Sequence, residues 1–204
     1  MQTRRSNRER TDATRAALLE SARGLFVQRG YAETSTPDLC AAAGITRGAL
    51  YHHFVDKRDL FRAVVASEAR LVRDRIAEAT PGKLSPRQAL LAGGDAYLDA
   101  MSENGRTRLL LIDGPAVLGL DDMRAIDDAH AAAALSEGLA AAGLARNVPV
   151  APLASLLSAA FDRAALDLAA GQDPKSVRKA MRWLLQRVID DDGAGATAAR
   201  RSRR

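Results

Sequence analysis

Apolar residues recur along this chain at helical spacing, in runs separated by glycine, proline and capping residues. From about Thr11 onward, Leu18, Ala22, Leu25 and Phe26 fall on one helical face, and Gly30 ends the run. Thr36 followed by Pro37 reads as an N-cap and a first-turn proline. A second helix is therefore expected to begin there, bury Leu39, Ala42 and Ala43, and break at Gly44. Thr46 is the next expected N-cap, opening a short helix over 47–54 with Leu50 and Phe54 turned inward. Asp56 caps a fourth, longer helix whose stripe of Leu60, Phe61, Val64, Val65, Leu71, Val72 and Ile76 runs to Thr80-Pro81-Gly82.

Beyond that stop, Ser85-Pro86 opens a helix carrying Leu90, Leu91, Tyr97, Leu98 and Met101, closed by Asn104-Gly105. Residues 106–112 read as a shorter helix interrupted by Asp113-Gly114-Pro115, and 121–142 as one alanine-rich helix ended by Gly143. Pro149 and Pro152 start a helix with the stripe Leu153, Leu156, Leu157, Ala160, Phe161, Ala164 and Leu168. Asp173-Pro174 starts the last, with Val177, Met181, Leu184, Leu185 and Val188 in register. The pattern predicts an all-α fold of about nine helices: a three-helix head, a long fourth helix holding the hinge, and a helical body.

Composition agrees with helix over sheet, since 47% of residues are hydrophobic but only 4% aromatic, and alanine and leucine dominate. A chain of 204 residues can bury a core without metal or disulfide staples. The one cysteine, Cys40, can form no internal disulfide, which fits a reducing compartment, the cytoplasm; on the short second helix it reads as a packing residue. No apolar run resembles a signal peptide or reaches the roughly 18 residues of a membrane-crossing helix, so no membrane partner is expected.

Charge changes the picture more. Residues 1–62 carry 11 Lys and Arg against 7 Asp and Glu, whereas 63–189 carry 15 of each. Arg200, Arg201, Arg203 and Arg204 make a second basic patch on a tail, 191–204, whose composition supports no core and predicts disorder. A basic end on a neutral body suits a polyanion. Arg4, Arg5, Arg8 and Arg10 belong to a flexible arm over 1–10, readable as a solvated tail or as an arm reaching a groove.

Ala43-Gly44-Ile45-Thr46 joins two short helices in helix-turn-helix geometry: the glycine takes the turn, Ile45 plugs the angle, and the second helix can enter a major groove. Gly30-Tyr31, Thr34-Ser35-Thr36, Ala42-Ala43-Gly44-Ile45-Thr46-Arg47-Gly48, Leu50-Tyr51-His52-His53-Phe54, and Lys57 with Leu60 and Phe61 follow one another at a distinctive spacing. Over 12–62 these residues resemble the DNA-binding signature of the TetR family. Cys40 stands where that pattern often has alanine, and Thr36 where it has an aliphatic residue or threonine.

The resemblance implies a transcriptional regulator: a repressor that binds an inverted-repeat operator in double-stranded DNA as a homodimer and is released by a small-molecule effector. The helix-turn-helix domain is then 11–57, and the ligand-binding and dimerisation domain 58–190. Thr36 and Thr46 cap helices whose N-terminal amides suit phosphates. Arg47 is the first side chain able to reach a base edge, where it can pair with guanine, and Gly48 lets the backbone approach the groove. The resemblance assigns Tyr51, His52, His53 and Lys57 to backbone phosphates, with Tyr51 also touching a thymine methyl. Phe54 reads as core.

In the body, the helix after Pro149 is apolar on two sides, with Ala159, Leu166 and Ala170 on a second face, so it needs covering twice. A four-helix contact between two chains would supply this, and Leu153, Leu157, Leu166, Leu184 and Val188 are its candidates. Tyr97, Met101, Phe161 and Trp183 are candidate pocket walls, although each reads more readily as ordinary core. Asp167 is either a pocket contact or the partner of Arg163 in an i, i+4 ion pair.

No nucleophile elbow, phosphate loop or dinucleotide fingerprint appears, so no catalytic role and no cofactor are expected. Neighbouring helical residues point about 100° apart, so His52 and His53 cannot chelate one metal together. Asp127 and His130, with Asp121, Asp122 and Asp128 nearby, form a weak metal pattern that helix N-terminal acidity also explains, and no metal is expected. The competing reading is a helical architectural protein that binds DNA without responding to a ligand.

Overall fold

The computed structural model describes residues 7–143 and 148–201, with side chains described over 11–143 and 148–190. The arginines expected to form the basic arm (Arg4, Arg5, Arg8, Arg10) and tail (Arg200, Arg201, Arg203, Arg204) lie outside those side chains. The described residues form only helices and their connections: α1 (Asn7–Arg29), α2 (Thr36–Ala43), α3 (Arg47–His53), α4 (Lys57–Ala79), α5 (Pro86–Met101), α6 (Arg106–Arg108), a π-helical turn (Leu109–Asp113), α7 (Gly114–Leu118), α8 (Leu120–Asp128), α9 (Ala131–Ala141), α10 (Val150–Ala169) and α11 (Pro174–Arg201). They divide into two compact units. One holds the chain up to Glu68 together with Arg108–Met123, and the other holds Ala69–Thr107 together with the chain from Arg124.

The first unit is built on aromatic and aliphatic residues that α1 to α4 turn inward: Leu18, Ala22, Phe26, Leu39, Leu50, Phe54, Leu60, Phe61, Val64 and Val65 are all buried. Phe61 meets both Phe26 and Tyr31 edge-on at 5.0 Å, a geometry that adds about 0.5–1.5 kcal/mol per pair beyond area burial. Arg23 grips the buried Glu68 carboxylate with two hydrogen bonds of 2.9 and 3.1 Å, joining α1 to α4. The cap of α2 is Ser35 rather than Thr36. Ser35 accepts from the Asp38 amide while Asp38 accepts from the Ser35 amide, a reciprocal box that leaves Thr36 as the first helical residue.

Residues 108–123 add to this unit. The expected interruption at Asp113-Gly114-Pro115 is absent, because Pro115 falls in the first turn of α7, where its missing N–H leaves no bond unmade. The wider π turn feeds the chain into that position. Arg58 donates to the Val117 and Leu118 carbonyls at the end of α7 and, with Arg62, holds Asp122.

In the second unit a Ser85–Gln88 capping box opens α5. The core combines Leu90, Leu98, Ala100 and Met101 of α5 with Leu139 of α9, Ala154, Leu157, Phe161, Ala164 and Ala165 of α10, and Met181 and Leu185 of α11. The single helix expected over 121–142 is two. The chain turns at Ala129–His130, where His130 adopts φ −132°, ψ −101°, and α9 then packs against α5 and α10. No glycine or proline marks that turn, so tertiary packing decides it, and the helical segments outnumber the nine or so expected. Leu156, placed by periodicity in the core stripe, is 71% exposed.

Candidate functional site

Everything local about α3 serves to present one face. Gly44 adopts φ 64°, a left-handed conformation that turns the chain sharply after α2 at little cost only for glycine. Thr46 then caps α3, its hydroxyl accepting from the Ala49 amide at 3.2 Å. Leu50 and Phe54 anchor the inward side, and the side facing solvent carries Arg47, Gly48, Tyr51 and His52. Arg47 lies over the Tyr51 ring at 5.5 Å, and the His52 and His53 rings meet edge-on at 5.5 Å. No carboxylate interrupts 47–54, so a polyanion meets donors and aromatic edges there.

Gly48 has no internal reason to be glycine. Its φ is ordinary, and the nearest atom to a Cβ built there would be the Thr46 hydroxyl at 3.9 Å. A helical glycine costs about 0.5–1 kcal/mol relative to alanine, and no contact within the described residues offsets that cost.

The other sequence candidates divide. Thr36 is half-buried in the first turn of α2, with the capping role taken by Ser35. Lys57 is not an extended surface cation: its ammonium donates at 3.0 Å to the Tyr31 and Thr34 carbonyls and sits 4.2 Å from the Tyr31 ring, clamping the α1–α2 turn. Sequence reasoning passed over Arg15, whose guanidinium stacks 5.0 Å above Phe54 on the exposed side of α1. A basic residue on the polar face of α1 was its only signal.

The second unit holds an open-sided cavity of about 580 Å³ between α4, α5, α9 and α10. Ile76, Leu90, Leu135 and Phe161 with several Ala and Gly residues form apolar walls, and Tyr97, His130 and Ser158 bring polar atoms to them. Of the five candidate pocket residues, Tyr97 and Phe161 line this cavity, their rings edge-on at 5.7 Å. Met101 does not; it shares a face of α5 with Tyr97 but lies one turn beyond the last α5 residue of the lining, and there it is fully buried in the core. Asp167 forms the i, i+4 ion pair with Arg163 at 2.9 Å, and Trp183 is 56% exposed beneath Arg187.

Polar chemistry missed at the sequence level stands one bond behind the lining. Tyr97 donates to Asp162 at 2.5 Å, and Ser158 donates to Asp127 at 3.3 Å. Burial raises both carboxyls, Asp162 to about 6, and pushes the Tyr97 phenol well up. Burial, then Arg73, lowers His130, whose Nδ1 is buried without a hydrogen-bond partner. The i, i+3 spacing of Asp127 and His130 was visible in the sequence, but as a metal pattern; among the described residues no three His, Cys, Asp or Glu are grouped to hold a metal. The pairing of Asp162 with Tyr97, 65 positions away, left no local trace.

Among the dimer candidates, Leu157 is only 4% exposed and belongs to the core of its own unit, which removes it from any interface. Leu153, Leu166, Leu184 and Val188 are half-buried, while Leu156 stands exposed beside them on α10.

Comparison with known proteins adds the relatives. Residues 18–64 match the model of bacterial regulatory proteins of the TetR family, and 87–191 match that of tetracyclin repressor-like C-terminal domains. Among curated proteins, the HTH-type transcriptional regulator TtgR of Pseudomonas putida is 41% identical over 63 residues, which is 31% of this chain and 30% of that protein. The chain thus spans about a third of the length of such curated relatives. A TetR-family transcriptional regulator from Pectobacterium atrosepticum has a solved structure 32% identical to this chain, covering 92% of it and 97% of its own length, with a TM-score of 0.68. A second, from Syntrophomonas wolfei, shares the fold at 18% identity, with a TM-score of 0.74 over 87% of this chain and 95% of its own.

Proposed function

Because the chain belongs to the TetR family of DNA-binding transcriptional regulators, we propose that it is a repressor which binds an inverted-repeat operator as a homodimer and leaves it when a small molecule enters the body. The observation that carries this reading is the exposed first turn of α3, where Thr46 caps, Arg47 and Tyr51 project, and Gly48 clears space for a base edge. Tyr51, His52 and His53 take phosphates, and Thr36 at the start of α2 offers a further backbone donor. Lys57 acts first by fixing the α1–α2 turn, and its remaining N–H is available to a phosphate.

A twofold operator follows from a twofold protein. Leu156 and Trp183 are large exposed apolar residues, and with the half-buried Leu153, Leu166, Leu184 and Val188 they give α10 and α11 a face for a second copy. The cavity lined by Tyr97 and Phe161 is the effector site, within the size range of pockets that take drug-sized molecules. Work of this kind is done in the cytoplasm, where the DNA is.

Selection of bound sites from random duplexes tests the reading. Wild-type protein is expected to enrich an inverted repeat, and Arg47→Ala to relax one position in each half-site at a cost of roughly 1–3 kcal/mol. Tyr51→Ala is expected to weaken every duplex alike. An unchanged preference in Arg47→Ala removes direct readout by that side chain. DNA binding indifferent to any compound that enters the cavity leaves the architectural reading instead.

A further inference from the structure

The polar end of the cavity has a direction. With Asp162 and Asp127 ionised, the Tyr97 and Ser158 hydroxyl hydrogens are committed to those carboxylates, so these two lining residues keep their oxygens as acceptors only. Two partly buried carboxylates therefore lie one hydrogen bond behind the wall, and neither has an ion-pair partner among the described lysines and arginines. Several cations of the surrounding helices are already paired, although Arg70 of α4 also acts on His130. Arg73, in the lining, is bound to Asp74 at 2.7 Å; Arg163 pairs with Asp167; on α11, Arg178 and Arg182 pair with Asp99 and Asp95. Buried charge without a counter-ion is costly unless something else supplies one. The rest of the wall is apolar, and the edge-on pair of Tyr97 and Phe161 adds π faces that favour positive charge.

Resting on the reading of this cavity as the effector site, we propose that the effector is a lipophilic organic cation, an aryl- or alkyl-ammonium whose nitrogen donates to the Tyr97 and Ser158 oxygens while its hydrocarbon part fills the apolar walls. The carboxylates of Asp162 and Asp127 balance its charge through those hydroxyls. An anionic ligand of the same shape would meet acceptor oxygens backed by two negative charges. A neutral one would leave the carboxylates without a counter-ion.

Titratable groups around Asp162 set the pH dependence: Tyr97 from α5, Asp127 from α8, His130 from the α8–α9 turn, with Arg73 of α4 and Glu137 of α9 at the lining. Asp162 loses its charge as pH falls through about 6, so cation affinity falls in that window.

The test uses the full chain and three matched probes: biphenylbutylamine, biphenylbutanol and biphenylbutanoate. Calorimetry at pH 7.5 and at pH 5 gives affinities, and fluorescence anisotropy on the selected duplex reads release. The amine is expected to bind about tenfold more tightly than the alcohol, with the carboxylate weakest, and to lose about tenfold between pH 7.5 and 5. Asp162→Asn is expected to remove the preference for amine and leave the alcohol within about twofold; Asp127→Asn, checked for folding by circular dichroism, shifts it the same way. Alcohol or carboxylate binding as tightly as the amine overturns the cation inference and leaves the cavity an effector site. Amine preference with no effect on DNA binding keeps the cation and overturns the effector reading. No binding by any probe overturns the inference as well.

Discussion

Replacing Asp162 by asparagine perturbs the one carboxyl whose burial is felt most strongly. Raising it from 3.8 to about 6 makes ionisation in the folded chain harder than in the unfolded chain by about 3 kcal/mol, at 1.36 kcal/mol per pH unit. The sign follows from proton counting. Between pH 4 and 6 the folded state holds a proton that the unfolded state has released, so stability falls as pH rises through that window, and above 6 the full penalty persists. Asparagine carries no such penalty and can still accept from Tyr97, though it loses the charge-assisted part of that 2.5 Å bond. The net expectation is a gain of about 1–2 kcal/mol at pH 8 and little change at pH 4. Urea unfolding at fixed protein concentration, followed by far-UV circular dichroism at pH 4, 5, 6, 7 and 8, reads this directly. Wild type and Asp162→Asn should diverge through the acid range. Parallel curves, or a variant less stable at pH 8, would show that the carboxylate is already compensated in the folded chain and refute the electrostatic argument behind the cation site.

Three further substitutions separate folding from function. Gly48→Ala is expected to stabilise the first unit by about 0.5–1 kcal/mol, since its Cβ enters open space, and yet to weaken operator binding; thermal melts and anisotropy titrations check the pair, and undiminished DNA affinity would show that nothing approaches that position closely. Leu156→Asp is expected to convert a dimer to a folded monomer in analytical ultracentrifugation, because this side chain is exposed, and a dimer unchanged in mass excludes it from the interface. At the next position, Leu157→Ala is expected to cost about 2–5 kcal/mol in urea unfolding with the dimer contact untouched, and a loss under 1 kcal/mol would contradict its place in the core.

The head was legible because its signals are local. A helix N-terminus is written in three or four consecutive residues, and a left-handed turn in one glycine, so Thr46, Gly44 and the α3 face could be read from spacing alone. Even the misplaced cap at Thr36 was an error of one residue, caused by Ser35 and Asp38 forming a box that the Thr-Pro pair obscured. The body was legible only as helices. Periodicity identifies the apolar residues of α10 but not which of its two apolar sides meets its own domain, so Leu157 was offered to the dimer contact and Leu156 was not, although Leu157 is buried and Leu156 exposed. The effector chemistry is more distant still from the local pattern. Asp162 is unremarkable in sequence, sitting between Phe161 and Arg163; its character comes first from burial, then from the Tyr97 hydroxyl, 65 positions away, and from Asp127 on a third helix. That difference matches what each site must do. Bases are read by side chains that project from one short helix, whose spacing must match the groove whatever the rest of the fold does. A small molecule entering the cavity of the second unit would meet hydroxyls whose hydrogens are bonded to Asp162 and Asp127, and that orientation exists only once several helices have brought their residues to a single wall.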